Sequence, residues 1–158
     1  MSKKRIFIFD LDGTLCNNSH RSWLVENGNK RWDDFFDLCL QDTKLEKNCK
    51  IFNTVNYLKT HVESKTMDYN IEIWIWTARP KKCFLDTKIW MKENLNFDLT
   101  EENSKFRQDN DRRPDYIVKE EFINSISESD IKSICMIYDD KESVINMYKL
   151  RNLPTTKV

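Results

Sequence analysis

IFIFDLDGTL, residues 6–15, is the part of the chain from which its architecture can best be predicted. Four apolar or aromatic residues in succession indicate a strand that is buried on both faces. Asp10 and Asp12 follow it, and residues two apart in an extended chain project to the same side. Gly13 allows a tight turn after them, and a bound cation would relieve the repulsion between the two carboxylates. The stretch predicts a metal-assisted active site at the carboxyl end of a strand.

The composition sets broad limits on the protein. With 158 residues the chain is most simply a single domain, residues 1–158. Its 26 basic and 26 acidic residues balance, so net charge gives no case for binding nucleic acid or membranes. No apolar run approaches the roughly 20 residues that span a bilayer. The five cysteines are scattered and lack a CxxC pair, which is typical of reduced thiols and predicts a cytoplasmic protein.

Predicted strands alternate with predicted helices along the chain. Apolar and β-branched runs predict strands at Arg5–Phe9, Ile71–Trp76, Asn96–Leu99, Ser133–Tyr138 and Thr155–Val158. Spacings of three to four residues predict helices at Lys44–Val62, Lys81–Asn94, Pro114–Ser127 and Lys141–Asn152. Residues 16–43 have no clear period and are predicted to form short helices and loops. The order indicates an α/β fold, a Rossmann-like parallel sheet flanked by helices.

Polar side chains follow three of these strands. They are Asp10 and Asp12 after the first, Thr77 and Arg79 after the second, and Asp139 and Asp140 after the strand that ends at Tyr138. The carboxyl ends of parallel strands meet at one edge of a sheet. We therefore expect these groups to converge in one crevice.

These motifs carry a resemblance to a known family. The sequence DLDGT at residues 10–14 matches the signature of the haloacid dehalogenase superfamily of aspartate-nucleophile phosphatases. Thr77, Lys119 and Asp139-Asp140 follow in the order of the remaining motifs. The stretch RQDNDRRPD at residues 107–115 gives the chain a closer resemblance still, to the 3′-phosphatase domain of phage polynucleotide kinase-phosphatases. The resemblance implies a haloacid dehalogenase-type fold in which residues 16–43 form a small cap insertion.

The resemblance also implies roles for four catalytic residues. Asp10 would attack phosphorus to form an aspartyl-phosphate. Asp12 would protonate the leaving oxygen and then activate water. Thr77 would donate a hydrogen bond to a phosphoryl oxygen, and Lys119 would neutralise charge on Asp10 and on the transferring group.

A magnesium ion and a set of substrate-binding groups are implied as well. The expected Mg²⁺ ligands are the Asp10 side chain, the Asp12 backbone carbonyl, and Asp139 or Asp140. Guanidinium groups match phosphate geometry, so three arginines are candidate substrate clamps. They are Arg79, Arg107 and Arg113, with Asp115 expected to hold one of them.

The function predicted from these features is a Mg²⁺-dependent phosphomonoesterase that removes 3′-phosphates from DNA or RNA ends. One alternative is a nucleotidase or a broad small-molecule phosphatase, and another is a catalytically silent module that binds phosphate or nucleic-acid ends. Three aromatic residues in the insertion also allow two interpretations. Trp23, Trp32 and Phe36 could stack a nucleobase or fasten the insertion to the core, and the packing role is favoured.

Overall fold

A five-stranded parallel sheet lies at the centre of the computed structural model, which describes residues 3–62 and 68–158. The strands, numbered along the chain, are β1 (Lys3–Phe9), β2 (Cys16–Asn17), β3 (Thr43–Lys44), β4 (Tyr69–Pro80), β5 (Ser104–Arg107), β6 (Ile134–Asp139) and β7 (Thr155–Lys157). Five of them form the sheet in the order β5-β4-β1-β6-β7, and each neighbouring pair is parallel. The predicted α/β class with a parallel sheet is therefore confirmed.

Helices connect the strands and cover both faces of the sheet. They are α1 (Ser19–Ser22), α2 (Trp32–Asp37), α3 (Glu46–Val62), α4 (Phe84–Leu95), α5 (Asp115–Asn124), α6 (Glu128–Ser133) and α7 (Glu142–Leu150). Side chains alternate along β1, so Phe9 packs with the core under α3 and α4, whereas Ile6 and Ile8 pack with the core under α5 and α7. Because both faces are covered, the strand reads as a continuous apolar run.

The short strand predicted at Asn96–Leu99 is wrong. Residues 96–100 have no regular structure, and the edge strand is β5, a few residues later. Asn96 ends α4 in a left-handed conformation with φ of 47°. Phe97 and Leu99 are buried in the core without joining the sheet. The alternating apolar pattern at these residues therefore comes from a loop that packs on the core, not from a strand.

The predicted helix at Pro114–Ser127 is shorter in the structure and is followed by another. Pro114 precedes the first turn, where its missing N–H costs nothing, and α5 ends at Asn124. Ser127 then caps α6, because its side chain accepts a hydrogen bond from the backbone N–H of Asp130. The helix predicted from Lys81 begins with a 3₁₀ turn over Lys81–Cys83.

The insertion, residues 16–43, contains α1, α2 and a 3₁₀ turn at Cys39–Gln41. Its two ends are joined by the antiparallel pair β2 and β3, a small sheet that was not predicted. The backbone N–H of Leu45 donates to the Leu15 carbonyl at 2.9 Å, so the chain returns close to where it left. The insertion is thereby fixed beside the carboxyl end of β1.

The remaining global predictions concern cysteines and membranes. All five cysteines are free thiols, and four of them are buried, as expected. Among the described residues, no helix is long and apolar enough to cross a membrane. Of the predicted helix Lys44–Val62, the side chain of Val62 lies outside the described part of the chain.

Candidate active site

Asp10 lies at the carboxyl end of β1 and is bound by a lysine from α5. Its backbone N–H donates to the Tyr138 carbonyl at 3.0 Å, which holds the end of β1 beside the end of β6. Lys119 Nζ donates to Asp10 Oδ1 at 2.7 Å and to Asp139 Oδ2 at 2.6 Å. Thr14 Oγ1 donates to the other Asp10 oxygen at 3.2 Å. A residue 109 positions away in sequence therefore neutralises part of the charge on Asp10.

Three carboxylates form an acidic cluster at this edge of the sheet. Asp10, Asp139 and Asp140 each place one oxygen within 4.8 Å of the others. Asp140 Oδ1 is buried and has no hydrogen-bond partner among the described residues. The Asp140 carboxylate packs against Gly13, where a Cβ would lie 2.1 Å from Asp140 Oδ2. Glycine at position 13 thus makes room for the third carboxylate.

Burial and charge act in opposite directions on these groups. Burial raises the pKa of Asp10 well above its ordinary value, a rise that Lys119 opposes and the neighbouring carboxylates Asp139 and Asp140 reinforce. Burial acts to lower the pKa of Lys119, but the attraction of Asp10 and Asp139 outweighs it and the pKa is well above its ordinary value. The ammonium of Lys119 therefore stays charged. Asp10, by contrast, needs further positive charge to remain ionised.

The cluster fits a divalent cation. When all three carboxylates are ionised, the cluster with its one ammonium has a net charge of −2, which one divalent ion would balance. The donors are all carboxylate oxygens, the ligand type preferred by Mg²⁺, and the unpartnered Asp140 Oδ1 is a free ligand atom. The residues present thus suit the metal that the sequence predicts.

Asp12 is held by two buried arginines. Arg79 donates to it from Nε at 3.0 Å and from Nη2 at 2.7 Å, and Arg21 Nη2 donates to Asp12 Oδ1 at 2.7 Å. Both guanidinium groups have no solvent exposure, whereas the Asp12 side chain is 22% exposed. Burial alone would raise the pKa of Asp12, but Arg79 and Arg21 outweigh it and lower the pKa. Arg79, expected to clamp substrate, is instead directed at Asp12.

A second carboxylate completes this buried cluster. Asp42 accepts hydrogen bonds from Arg21 Nε at 2.7 Å and from Arg79 Nη2 at 2.7 Å, and its side chain is fully buried. His20 Nε2 lies 2.9 Å from the same carboxylate. Two arginines and two carboxylates, Asp12 and Asp42, balance in charge, so the cluster can exist in the interior.

Arg21 and Asp42 were not predicted as site residues. Both belong to the insertion, where the sequence has no clear period, and they meet across 21 positions. The only sequence signal for this pair is the residue type, because a buried arginine needs a charged partner. The sequence of this segment does not show which of its residues are buried.

Thr77 is fully buried near the end of β4 and lines the cavity above Asp10. Its Oγ1 accepts a hydrogen bond from the Arg79 backbone N–H at 3.1 Å. The pairing of β4 with β5 shifts register between Thr77 and Pro80, which turns the strand at this point. The hydroxyl hydrogen remains available for another acceptor.

The remaining predicted site residues organise the loop before α5. Arg107 donates to the carbonyls of Ala78 and Arg113 and, from Nη2, to Asp115 Oδ1 at 2.5 Å. Lys141 binds the other oxygen of Asp115. Arg113 is 47% exposed, and its guanidinium pairs with the carboxylates of Asp111 and Glu121. These arginines are thus engaged with protein groups.

A cavity of about 520 Å³ opens above the acidic cluster. Its floor includes Asp10, Asp12 and Asp140, and its walls come from the insertion and from residues 111–115. Arg112 lines it, makes no hydrogen bond or salt bridge within residues 3–62 and 68–158, and attracts the Asp33 carboxylate electrostatically. It was not singled out from the sequence, where nothing separates it from Arg113.

Solved structures share this fold. In the RNA repair complex of Pnkp1, Rnl and Hen1, a chain matches 99% of this chain with a TM-score of 0.69 at 21% identity, over 42% of its own length. The class C acid phosphatase from Bacillus anthracis matches 90% of this chain with a TM-score of 0.58 at 18% identity, over 53% of its length. The chain therefore spans about half the length of these relatives.

Sequence comparison gives the family. No curated protein is significantly similar to the chain. The family model described as the polynucleotide kinase PNKP phosphatase domain matches residues 4–158, which is nearly the whole chain. The site residues DLDGT at 10–14, Lys119 and Asp139-Asp140 all lie within that match. The chain belongs to the PNKP phosphatase domain family, within the haloacid dehalogenase superfamily.

Proposed function

We propose that this protein is a Mg²⁺-dependent phosphomonoesterase that uses Asp10 as a nucleophile and removes 3′-phosphates from nucleic-acid ends. One observation carries the proposal: Asp10, Lys119, Asp139 and Asp140 meet in one cluster, and two of its members, Asp10 and Asp140, line an open cavity. A module that only binds phosphate would not need a buried carboxylate facing its anionic ligand, because the two charges repel.

The metal would be held by Asp10, Asp139 and Asp140, with the Asp12 backbone carbonyl as a further expected ligand. When bound, Mg²⁺ supplies the positive charge that allows a carboxylate and a phosphate dianion to approach. Both Asp139 and Asp140 offer an oxygen to the cluster. Lys119 occupies one oxygen of Asp139, while Asp140 Oδ1 has no protein partner among the described residues, which favours Asp140 as a direct ligand.

The first chemical step transfers the phosphoryl group to the protein. A carboxylate oxygen of Asp10 forms a bond to phosphorus while the bond from phosphorus to the leaving sugar oxygen breaks. Lys119 and the Thr77 hydroxyl stabilise the charge on the phosphoryl oxygens. Asp12 gives a proton to the leaving oxygen. The second step reverses these roles: Asp12 takes a proton from water, the water oxygen bonds to phosphorus, and inorganic phosphate leaves Asp10.

The arginines around Asp12 suit the second step directly. Arg21 and Arg79 favour its ionised form, which is the form that accepts a proton from water. The proton used in the first step enters with substrate binding, because a phosphate dianion beside Asp12 raises the pKa of Asp12. Arg79 thus acts by holding Asp12, and Asp42 acts by holding both arginines.

Three observations support a nucleic acid as the substrate. The family is that of polynucleotide kinase phosphatase domains. The cavity is open on one side, with a wall formed by the insertion, which we propose acts as a small cap. Arg107, Arg113 and Asp115 shape the loop before α5. Arg112 in that loop lines the cavity without a hydrogen bond or salt bridge among the described residues, and a backbone phosphate would bind to it there.

A panel of substrates tests the proposal. Phosphate release is measured from 3′-phosphorylated oligodeoxynucleotides and oligoribonucleotides, 3′-mononucleotides, 5′-mononucleotides and glycerol 2-phosphate, each with Mg²⁺ or with EDTA. We expect metal-dependent release that is fastest from the oligonucleotides. Turnover of 5′-mononucleotides alone would indicate a nucleotidase and refute end processing. Binding of 3′-phosphorylated ends without release from any substrate would establish the silent module.

A further inference from the structure

The cavity above Asp10 continues past the reaction centre to an aromatic wall. Trp32 and Phe36, both on α2 of the insertion, line the same cavity as Asp10 and Asp12. A phosphoryl group needs cations and hydrogen-bond donors, which the floor supplies, but it has no use for aromatic rings. The aromatic wall therefore concerns the group that carries the phosphate.

Three rings of α2 have two different environments. Phe35 is only 6% exposed where it lines the cavity, and its ring centroid lies 5.8 Å from that of Trp32 and 5.2 Å from that of Phe36. Trp32 is 40% exposed, and its ring is stacked on Phe36 with a centroid distance of 6.2 Å. Among the described residues, Trp32 and Phe36 do not pack against either core cluster that flanks the sheet, so the packing role considered for them is not supported. Trp32 presents free aromatic surface at the cavity.

The aromatic wall is fixed relative to the reaction centre by Arg21. Its guanidinium lies 4.0 Å above the Phe35 ring, and its Nη1 donates to the Phe35 carbonyl at 2.9 Å. The same guanidinium binds Asp12 from Nη2 at 2.7 Å. One rigid group thus joins the wall to the proposed general acid, as expected if a ligand must contact both.

We propose that Trp32, backed by Phe36, is a stacking platform for the nucleobase of the 3′-terminal nucleotide. This inference rests on the phosphatase function proposed above and names how that site recognises its substrate. Every nucleobase has a planar π-face, so the platform accepts all bases and contributes affinity without reading sequence. The terminal phosphate lies at Asp10 while the base lies on Trp32, and Arg112 lines the same cavity.

Paired substrates and a matched variant test the platform. The substrates are two identical 3′-phosphorylated oligonucleotides, one with a terminal base and one with an abasic terminal residue. We expect the wild type to have a KM lower by about 5- to 150-fold for the base-bearing end. Trp32→Ala should remove this difference while leaving kcat and the abasic KM unchanged, and Trp32→Phe should restore much of it. Trp23→Ala is the control, because Trp23 is 56% exposed and stands outside the cavity lining.

The outcomes separate this inference from the phosphatase proposal. An equal KM for both ends in the wild type, or an equal loss for both ends in Trp32→Ala, overturns the platform and leaves the phosphatase intact. If neither end is hydrolysed, the phosphatase proposal fails. In that case fluorescence anisotropy in EDTA still measures the affinity for each oligonucleotide. Equal affinities overturn the platform, whereas a higher affinity for the base-bearing end that is lost in Trp32→Ala supports it.

Discussion

Arg21 Nη2 lies 2.7 Å from Asp12 Oδ1, and the same guanidinium binds Asp42. Arg79 makes the matching pair of contacts from β4. The carboxylate proposed to move the proton is therefore held from the insertion and from the sheet at once. This relationship makes the orientation of Asp12 depend on two fully buried arginine side chains.

Replacement of either arginine by lysine tests that dependence. Arg21→Lys and Arg79→Lys keep the charge but cannot donate to Asp12 and Asp42 simultaneously with the same geometry. We expect phosphate release to fall by roughly 10²-fold, because small displacements of a reacting group cost about that much. Arg31→Lys is the control, since Arg31 pairs with Asp34 at an exposed site. Wild-type rates in both buried variants would refute the role given to the arginines.

Asp42 is expected to matter for stability as well. Asp42→Ala leaves two buried guanidinium groups short of one carboxylate, and breaking a buried pair costs about 3–5 kcal/mol. The free energy of unfolding, measured in urea, should fall by that order. Asp34→Ala removes the partner of Arg31 in an exposed ion pair, so its free energy of unfolding should equal that of the wild type. Equal unfolding midpoints for the two variants would contradict the account of the cluster.

The two glycines of the chain allow a matched comparison. Gly13 and Gly28 both have positive φ, 80° and 85°, so alanine is strained by roughly 1–2 kcal/mol at either. A Cβ at Gly13 would also meet Asp140 Oδ2 at 2.1 Å, whereas nothing lies within 4 Å at Gly28.

We expect Gly28→Ala to retain activity despite its lower stability. Gly13→Ala should require more Mg²⁺ and lose most phosphate release, because Asp140 is displaced from the acidic cluster. The Mg²⁺ dependence of phosphate release is the measurement for both. Matching Mg²⁺ curves would show that Asp140 does not serve the metal site.

Arg112 and Arg113 are neighbours with different expected effects. Arg113 is paired with Asp111 and Glu121, whereas Arg112 makes no hydrogen bond or salt bridge among the described residues and lines the cavity. Arg112→Ala should weaken binding of 3′-phosphorylated oligonucleotides and reduce the slope of log K against log salt concentration by about 1. Arg113→Ala should leave that slope unchanged. The reverse pattern would mean that Arg113 releases its partners to bind substrate.

The sequence predicted four of the five strands of the sheet, all but β5, and the meeting of the acidic residues at its edge. Asp10 follows a buried strand directly, and Asp139 ends another, so the rule that parallel strands share a carboxyl edge brings them together. Lys119 was placed by its motif position, since a lysine on a helix carries no local signal of burial. The structure puts it 2.7 Å from Asp10.

Arg79 was expected in the same crevice as Asp12, but its contact with Asp12 and the roles of Arg21 and Asp42 could not be predicted from the sequence, for a physical reason. Arg21, Asp42 and Arg79 meet through hydrogen bonds between distant segments, and none of these contacts leaves a local periodicity. Phe97 and Leu99 show the converse case, because their alternation resembled a strand while their burial came from loop packing. Local sequence patterns predict helices and strands. They do not predict which distant residue will form a hydrogen bond with a buried polar group.

The central claim is that Asp10 is the nucleophile. Asp10→Asn keeps the size of the side chain and removes the attacking carboxylate. Release of phosphate from a 3′-phosphorylated oligonucleotide with saturating Mg²⁺ is compared for this variant and the wild type, with circular dichroism to establish that both are folded. We predict a loss of at least about 10³-fold in a folded Asp10→Asn protein. Phosphate release by that variant at the wild-type rate would contradict the account.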